Sequence, residues 1–335
     1  MRTTIPLAGA LALALLLCGC AAPPRVHVTH PVPPTVTDGV FVMADGARLP
    51  YREWLPAGGP PAIVVLALHG IDDSRDAWER PGPLLAAQGI AVIAPDERGF
   101  GAATGRGRWP GTATMLSDAR AAALAVRNRF PTARVFLAGE SMGGAVLMAL
   151  AASPLASPVD GYVLSSPAVW GRREMNLLLR SSLWIADATV PNMTLTGRGV
   201  RVVPTDDAAA LRRLSDDPLT LRETRVSAVK GLVDLMDAAL AAAGHIREPV
   251  LFLYGGHDEL VPKRAMAAAW RSEMANGYPR QTYAFYPHGY HLLLRDHEGA
   301  VVTADIAHWL RDPGAPLPSG AEARAAAWIA HQPAD

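Results

Sequence analysis

Ser141 stands in the run Gly139-Glu-Ser-Met-Gly143, directly after an apolar stretch, Arg134-Val-Phe-Leu-Ala138, and directly before an alanine- and leucine-rich one, Ala145 to Ala152. This order predicts strand, sharp turn, helix. A serine between glycines on such a turn projects its hydroxyl above the carboxyl edge of a sheet, where a substrate carbonyl can reach it. Serine at its own pKa is a poor nucleophile, so an imidazole must take its proton during attack and return one to the leaving group. Two later segments offer the partners. The apolar run Pro249 to Tyr254 leads into Gly255-Gly-His-Asp-Glu-Leu-Val-Pro262, which sets Asp258 at a strand end. The run Gln281 to Tyr286 leads into Pro287-His-Gly-Tyr-His-Leu292, which offers His291 as the base. Asp258 would hold the useful imidazole tautomer and stabilise the imidazolium. Glu259 is the acid that a one-position shift in its loop would bring forward instead, and His288 is the competing histidine.

A tetrahedral intermediate also needs donors for its oxyanion. The N–H of Met142, the residue after the nucleophile, is one. The second should come from the loop after the very apolar run Ala62 to Leu68, where His69-Gly70 turns the backbone and presents the Ile71 N–H. Losing one such donor typically costs about 2.7–4 kcal/mol of transition-state stabilisation.

Serine, then acid, then histidine is the chain order of the α/β-hydrolase arrangement. The set Leu-Ala-Leu-His-Gly at 66–70, Asp-Glu-Arg-Gly-Phe-Gly at 96–101, Gly-Glu-Ser-Met-Gly-Gly at 139–144, Gly-His-Asp-Glu-Leu-Val-Pro at 256–262 and His-Gly-Tyr-His at 288–291 resembles the monoacylglycerol lipase and lysophospholipase branch of that superfamily. The same branch includes some proline aminopeptidases. The resemblance spans roughly residues 40 to 311 and implies a serine hydrolase with a lid and no cofactor. Carried over position by position, it gives Ser141, Asp258 and His291 as the triad, Ile71 and Met142 as oxyanion donors, and Gly139 and Gly143 as the glycines of the nucleophile turn. One departure is Ile-Asp-Asp-Ser after His69-Gly70, where lipases of the branch usually carry other small or charged residues; it leaves the pocket open.

The elements that must position these groups follow from periodicity. Runs at 62–68, 90–94, 134–138, 162–165, 249–254 and 281–286 alternate with helical stretches near 76–88, 114–129, 143–152, 263–275 and 299–311. The fold class is therefore α/β, with a mainly parallel sheet covered on both faces. A hairpin, 39–43 and 47–55 around Asp45-Gly46, precedes it. From Ala168 to Ile246 no strand is evident, and Val226, Val229, Val233, Met236 and Leu240 recur at helical steps, so this block reads as an inserted helical cap. Its first part, Met175 through Ile185, is apolar enough either to line an acyl-chain tunnel or to form the cap's own core.

The N-terminus carries Arg2, an apolar segment from Ile5 to Cys18, and then Leu17-Cys-Gly-Cys20. This is too short to span a bilayer and reads as a secretory signal. Its ending resembles a bacterial lipoprotein signal, in which Cys20 would be lipidated and become the first mature residue; ordinary cleavage after Ala22 is the alternative. By analogy with that class, the absence of aspartate after the cysteine implies the cell envelope, lipid-anchored to the outer membrane and facing the periplasm. The expected organisation is a signal peptide at 1–19, a proline-rich tether at 20–37, a core at 38–167 and 247–312, the cap at 168–246, and a tail at 313–335.

Other classes fit poorly. Lys+Arg and Asp+Glu balance at 31 each, so no net field favours nucleic acid. Both cysteines, Cys18 and Cys20, lie in the signal region, so the body has no disulfide and must be held by its core. Gly99-Phe-Gly101 and Gly105-Arg-Gly107 do not complete a dinucleotide loop. His257, Asp258, His288, His291 and His297 match no metal spacing, so no metal is expected. The expected substrate is a single-chain lipid ester, a monoacylglycerol or lysophospholipid. The alternatives are an esterase of small esters; a peptidase, which would need cap acids such as Glu174, Asp187, Asp206 and Asp207 to hold an ammonium; and a non-catalytic envelope protein.

Overall fold

The structure, a computed structural model, describes residues 35–196 and 202–333. Eleven strands appear among them: β1 (Thr35–Thr37), β2 (Val40–Val42), β3 (Arg48–Trp54), β4 (Ile63–Leu68), β5 (Ile90–Pro95), β6 (Arg134–Glu140), β7 (Gly161–Ser165), β8 (Thr194–Leu195), β9 (Thr224–Arg225), β10 (Val250–Gly255) and β11 (Gln281–Tyr286). The helices are α1 (Pro81–Ala86), α2 (Thr112–Arg129), α3 (Met142–Ala151), α4 (Leu177–Thr189), α5 (Ala208–Asp216), α6 (Val226–Ala242), α7 (Lys263–Ala275), α8 (Gly299–Arg311) and α9 (Ala321–Ala330).

Nine strands form one sheet in the order β1-β2-β3-β5-β4-β6-β7-β10-β11. From β5 to β11 every pairing is parallel, and β1 to β3 add an antiparallel flank. Strands β4, β5 and β10 are buried at every position, which is why they read as unbroken apolar runs rather than alternating ones. Two apolar layers sandwich the sheet. Alternate strand residues Val64, Leu66, Leu68 and Phe252 pack under α2, α3, α6 and α7, while Ile63, Val65, Ala67 and Leu251 pack under α1 and α8.

Several boundaries differ from expectation. Thr35–Thr37, assigned to the tether, pairs with β2 instead. The helical stretch near 76–88 is a 3₁₀ turn at Arg75–Trp78 followed by α1, because Pro81 and Pro83 lack the N–H groups that a continuous helix would use. The segment between β7 and β10 does contain strands: β8 and β9 form a two-residue antiparallel pair too short to show a period. The chain after Pro313 is more than a tail. Strand β11 alternates in burial as an edge strand does, and α9 covers it, with Trp328 stacked on Phe285 at 5.1 Å between ring centroids. No helix among the described residues is long and apolar enough to cross a membrane.

Candidate active site

Strand β6 ends at Glu140 and α3 begins at Met142, so Ser141 alone must turn the chain; it does so at φ 51°, a left-handed conformation unusual for a non-glycine residue. Close packing explains the glycines. A Cβ on Gly139 would lie 2.5 Å from the backbone of Gly143 and Gly144, and one on Gly143 would lie 2.7 Å from the Leu68 Cβ. The turn is tied on both sides: the Ser141 N–H donates to Ser165 O at 2.9 Å, and the Gly143 N–H donates to His69 O at 3.0 Å.

The chain following β10 places Asp258 with both carboxylate oxygens engaged. Oδ1 accepts the Leu260 and Val261 N–H groups at 2.8 and 2.9 Å, and Oδ2 accepts His291 Nδ1–H at 2.8 Å. Because Nδ1 is the donor, Nε2 is the nitrogen left to receive a proton. Burial alone would depress the His291 pKa. The charge and hydrogen bond of Asp258, with Glu140 adding, more than offset this and move it upward. The neighbouring candidates fall elsewhere: Glu259 is exposed and accepts the Val203 N–H, and His288 is exposed with its ring edge-on to His257. Among the described residues no group of three or more His, Cys, Asp or Glu side chains is placed to hold a metal ion.

The Ile71 and Met142 N–H groups have no acceptor among the described residues. A Cβ built on Gly70 would lie 3.5 Å from the Ser141 Cβ, so the 69–73 loop runs against Ser141. His69 holds that loop. Its Nε2 lies 2.9 Å from the Glu97 N–H and must accept, so Nδ1 carries the proton donated to Gly70 O at 2.7 Å.

The sequence reading missed a buried ionic cluster beside these groups. Arg295, 4% exposed, donates from Nη2 to Glu140 Oε1 and pairs with Asp73 Oδ2 at 2.7 Å, while its carbonyl accepts from Arg80. Glu140 beside Ser141 was the available signal, since a carboxylate buried there is costly without a partner. Asp296 is missed likewise: it accepts the Tyr290 N–H at 2.6 Å, steadying the His291 loop, and burial pushes its carboxyl up to about 6.

Ser141, His291, Gly70 and Ile71 open onto one cavity of about 470 Å³, within the range of small-molecule sites, about 300–1,000 Å³. Its walls are mostly apolar and include the face of α6 that carries Val229, Leu232, Val233 and Met236. Of the 175–185 segment, only Met175 lines this cavity. Leu177 and Leu178 on α4 are 75% and 77% exposed and Trp184 is 70% exposed, so they neither line the cavity nor form a cap core. None of Glu174, Asp187, Asp206 and Asp207 lines it; Asp207 caps α5 and pairs with Arg80. Cys20 and the signal segment lie outside the described residues.

A family profile described as "Serine aminopeptidase, S33" matches residues 59–298. The chain is 24% identical over 280 residues to a monoacylglycerol lipase of Mycolicibacterium smegmatis, covering 82% of this chain and 97% of that protein. It is 27% identical over 271 residues to the monoglyceride lipase of Mus musculus, covering 80% and 87%. Among solved structures, the monoacylglycerol lipase of Paleococcus ferrophilus superposes with a TM-score of 0.66 at 20% identity, covering 79% of this chain and 99% of that one. A soluble variant of the Saccharomyces cerevisiae monoglyceride lipase, in complex with a substrate analog, gives 0.67 at 17% identity, covering 88% and 99%. These structural likenesses speak to the fold.

Proposed function

Since the chain belongs to the serine aminopeptidase S33 family of α/β-hydrolases, and is a serine ester hydrolase, we propose that it cleaves monoacylglycerols through an acyl-enzyme on Ser141. The observation that carries this reading is the single cavity, apolar on its cap side, onto which Ser141 and the Asp258-held His291 both open. A fatty chain suits the α6 wall, and a small polar headgroup suits the end where Asp72, Asp73 and Glu140 sit.

In this reading Ser141 Oγ attacks the ester carbonyl while His291 Nε2 takes the hydroxyl proton. The carbonyl oxygen becomes an oxyanion that accepts from the Ile71 and Met142 N–H groups. The intermediate collapses, the ester C–O bond breaks, and His291 returns the proton to the departing glycerol oxygen. Water then attacks the acyl-enzyme with His291 as base, and the collapse frees the fatty acid and restores the Ser141 hydroxyl. Nothing in this cycle calls for a cofactor.

The cap acids named for the peptidase alternative, Glu174, Asp187, Asp206 and Asp207, do not line the cavity. The test is fatty-acid release from a monoacylglycerol and a lysophospholipid offered side by side, with Ser141→Ala as blank. Serine-dependent release from the monoacylglycerol is expected. Release from neither ester would defeat the proposal, and a preference for the lysophospholipid would reassign the headgroup.

The envelope address is part of the same proposal. Cys20 is lipidated and anchors the chain in the outer membrane, and the exposed apolar face of α4 suits contact with a lipid surface. Incorporation of labelled palmitate that disappears in Cys20→Ala supports this; label retained in that variant would refute it.

A further inference from the structure

The Ile-Asp-Asp-Ser run after His69-Gly70, one departure from the lipase pattern that the sequence resembles, has a distinct set of partners in the structure. Asp72 adopts φ 60°, a left-handed conformation that aspartate and asparagine tolerate better than most residues. Its carbonyl accepts the Leu221 N–H at 2.7 Å, and its Oδ2 accepts the Thr224 hydroxyl. Both donors belong to the cap segment between α5 and α6.

That segment is held from its other side as well. The Arg106 guanidinium donates to the carbonyls of Pro218, Leu219 and Thr220 at 2.9, 2.7 and 3.3 Å. Arg106 sits in the glycine-rich loop 99–107, whose close turns need left-handed glycines: a Cβ on Gly101 would lie 2.1 Å from the Asp96 Cγ. The loop that superficially suggested a nucleotide site is thus the support that presents Arg106 to the cap.

We propose that Asp72 is a positioning residue through which the cap sets the Ile71 N–H, so that the oxyanion donor points into the cavity only when the 217–224 segment is seated between Arg106 and Asp72. The inference rests on the assignment of Ile71 as oxyanion donor. Its consequence is specific. A cap that merely bound the acyl chain would affect long substrates and their KM, whereas a cap that sets the donor affects kcat on any ester, including one too short to reach α6.

The experiment measures Asp72→Ala, Asp72→Asn and Thr224→Val on a soluble acetyl ester and on a long-chain monoacylglycerol, with thermal melting as a check on folding. Asp72→Ala and Thr224→Val are expected to lower kcat about 10- to 100-fold on both esters, the scale of a catalytic group displaced by about an ångström. KM should stay within about threefold. Asp72→Asn keeps both the left-handed preference and an acceptor for Thr224, and should recover most of kcat. Affinity for an alkyl boronic acid, which forms a tetrahedral adduct on Ser141, should fall in parallel with kcat. Should Asp72→Ala fail to fold, Thr224→Val alone decides the matter. Folded variants that keep kcat on the acetyl ester, or lose activity on the long ester only, would overturn the inference while leaving the hydrolase reading intact. A parent chain without Ser141-dependent turnover would overturn both.

Discussion

Asp258 Oδ2 and His291 Nδ1 lie 2.8 Å apart with both side chains almost wholly buried, and the other oxygen of Asp258 is pinned by two backbone N–H groups. The carboxylate cannot swing away, so the imidazole is held in one orientation and one tautomer. Its proton affinity is raised above the ordinary histidine value of 6.5, the attraction of Asp258 and Glu140 overcoming burial. Only the neutral imidazole can act as base. The acidic limb of kcat/KM should therefore fall above 6.5, with activity lost as pH drops through it. Asp258→Asn should move that limb to lower pH and reduce kcat about 10⁴-fold. A pH–rate profile of both forms checks this, and an unmoved limb would remove Asp258 from its role.

The left-handed turn at Ser141 stores strain that glycine would not feel. Ser141→Gly should unfold at higher denaturant than Ser141→Ala, by about 1 kcal/mol, while both lose turnover by roughly 10⁶-fold. Urea unfolding of the two variants side by side reads the difference; equal midpoints would mean the strain is not energetically real.

Glu97 is buried with one oxygen unpartnered, and burial pushes its carboxyl up to about 7 from 4.5. Between those values the folded chain holds a proton that the unfolded chain has released, so stability falls as pH rises through this window and stays reduced above it. Glu97→Gln carries no such charge. It should melt above the parent at pH 8 and close to it at pH 4.5, and a gain that is the same at both values would defeat the assignment.

On α4, Leu177, Leu178 and Trp184 face solvent. Replacing all three by serine should leave hydrolysis of a soluble acetyl ester unchanged and reduce hydrolysis of monoacylglycerol in vesicles several-fold, through weaker partitioning onto the lipid surface. Equal rates on vesicles would exclude this face from lipid contact.

Much of the fold was legible because its signals are local. The alternation of apolar runs and helical stretches located the parallel strands to within one or two residues, since β4, β5 and β10 are buried on both faces and need no partner to be recognised. The glycine-flanked serine likewise announces its own turn. What escaped was decided by tertiary contact. Arg295 is one arginine among many until β6 delivers Glu140 to it. The apolar α4 reads the same whether it faces a tunnel, a core or water. Strands β8 and β9 are two residues each, too short to carry a period, and Trp328 gives no hint of Phe285 until α9 docks.

The Arg295 junction also bears on how the chain comes together. Its guanidinium meets Glu140, 155 positions earlier in the chain, and its carbonyl meets Arg80, 215 positions earlier. Such pairings close late, because the chain between them must be organised first. Until they close, Glu140 and Asp73 are carboxylates entering an apolar interior without their cation, and a buried charge left unpaired costs about 3–5 kcal/mol. The stretch before the cap and the stretch after it therefore gain little by settling separately. The guanidinium couples the two parts of the sheet into one cooperative unit, which should melt in a single transition although the cap separates them in sequence.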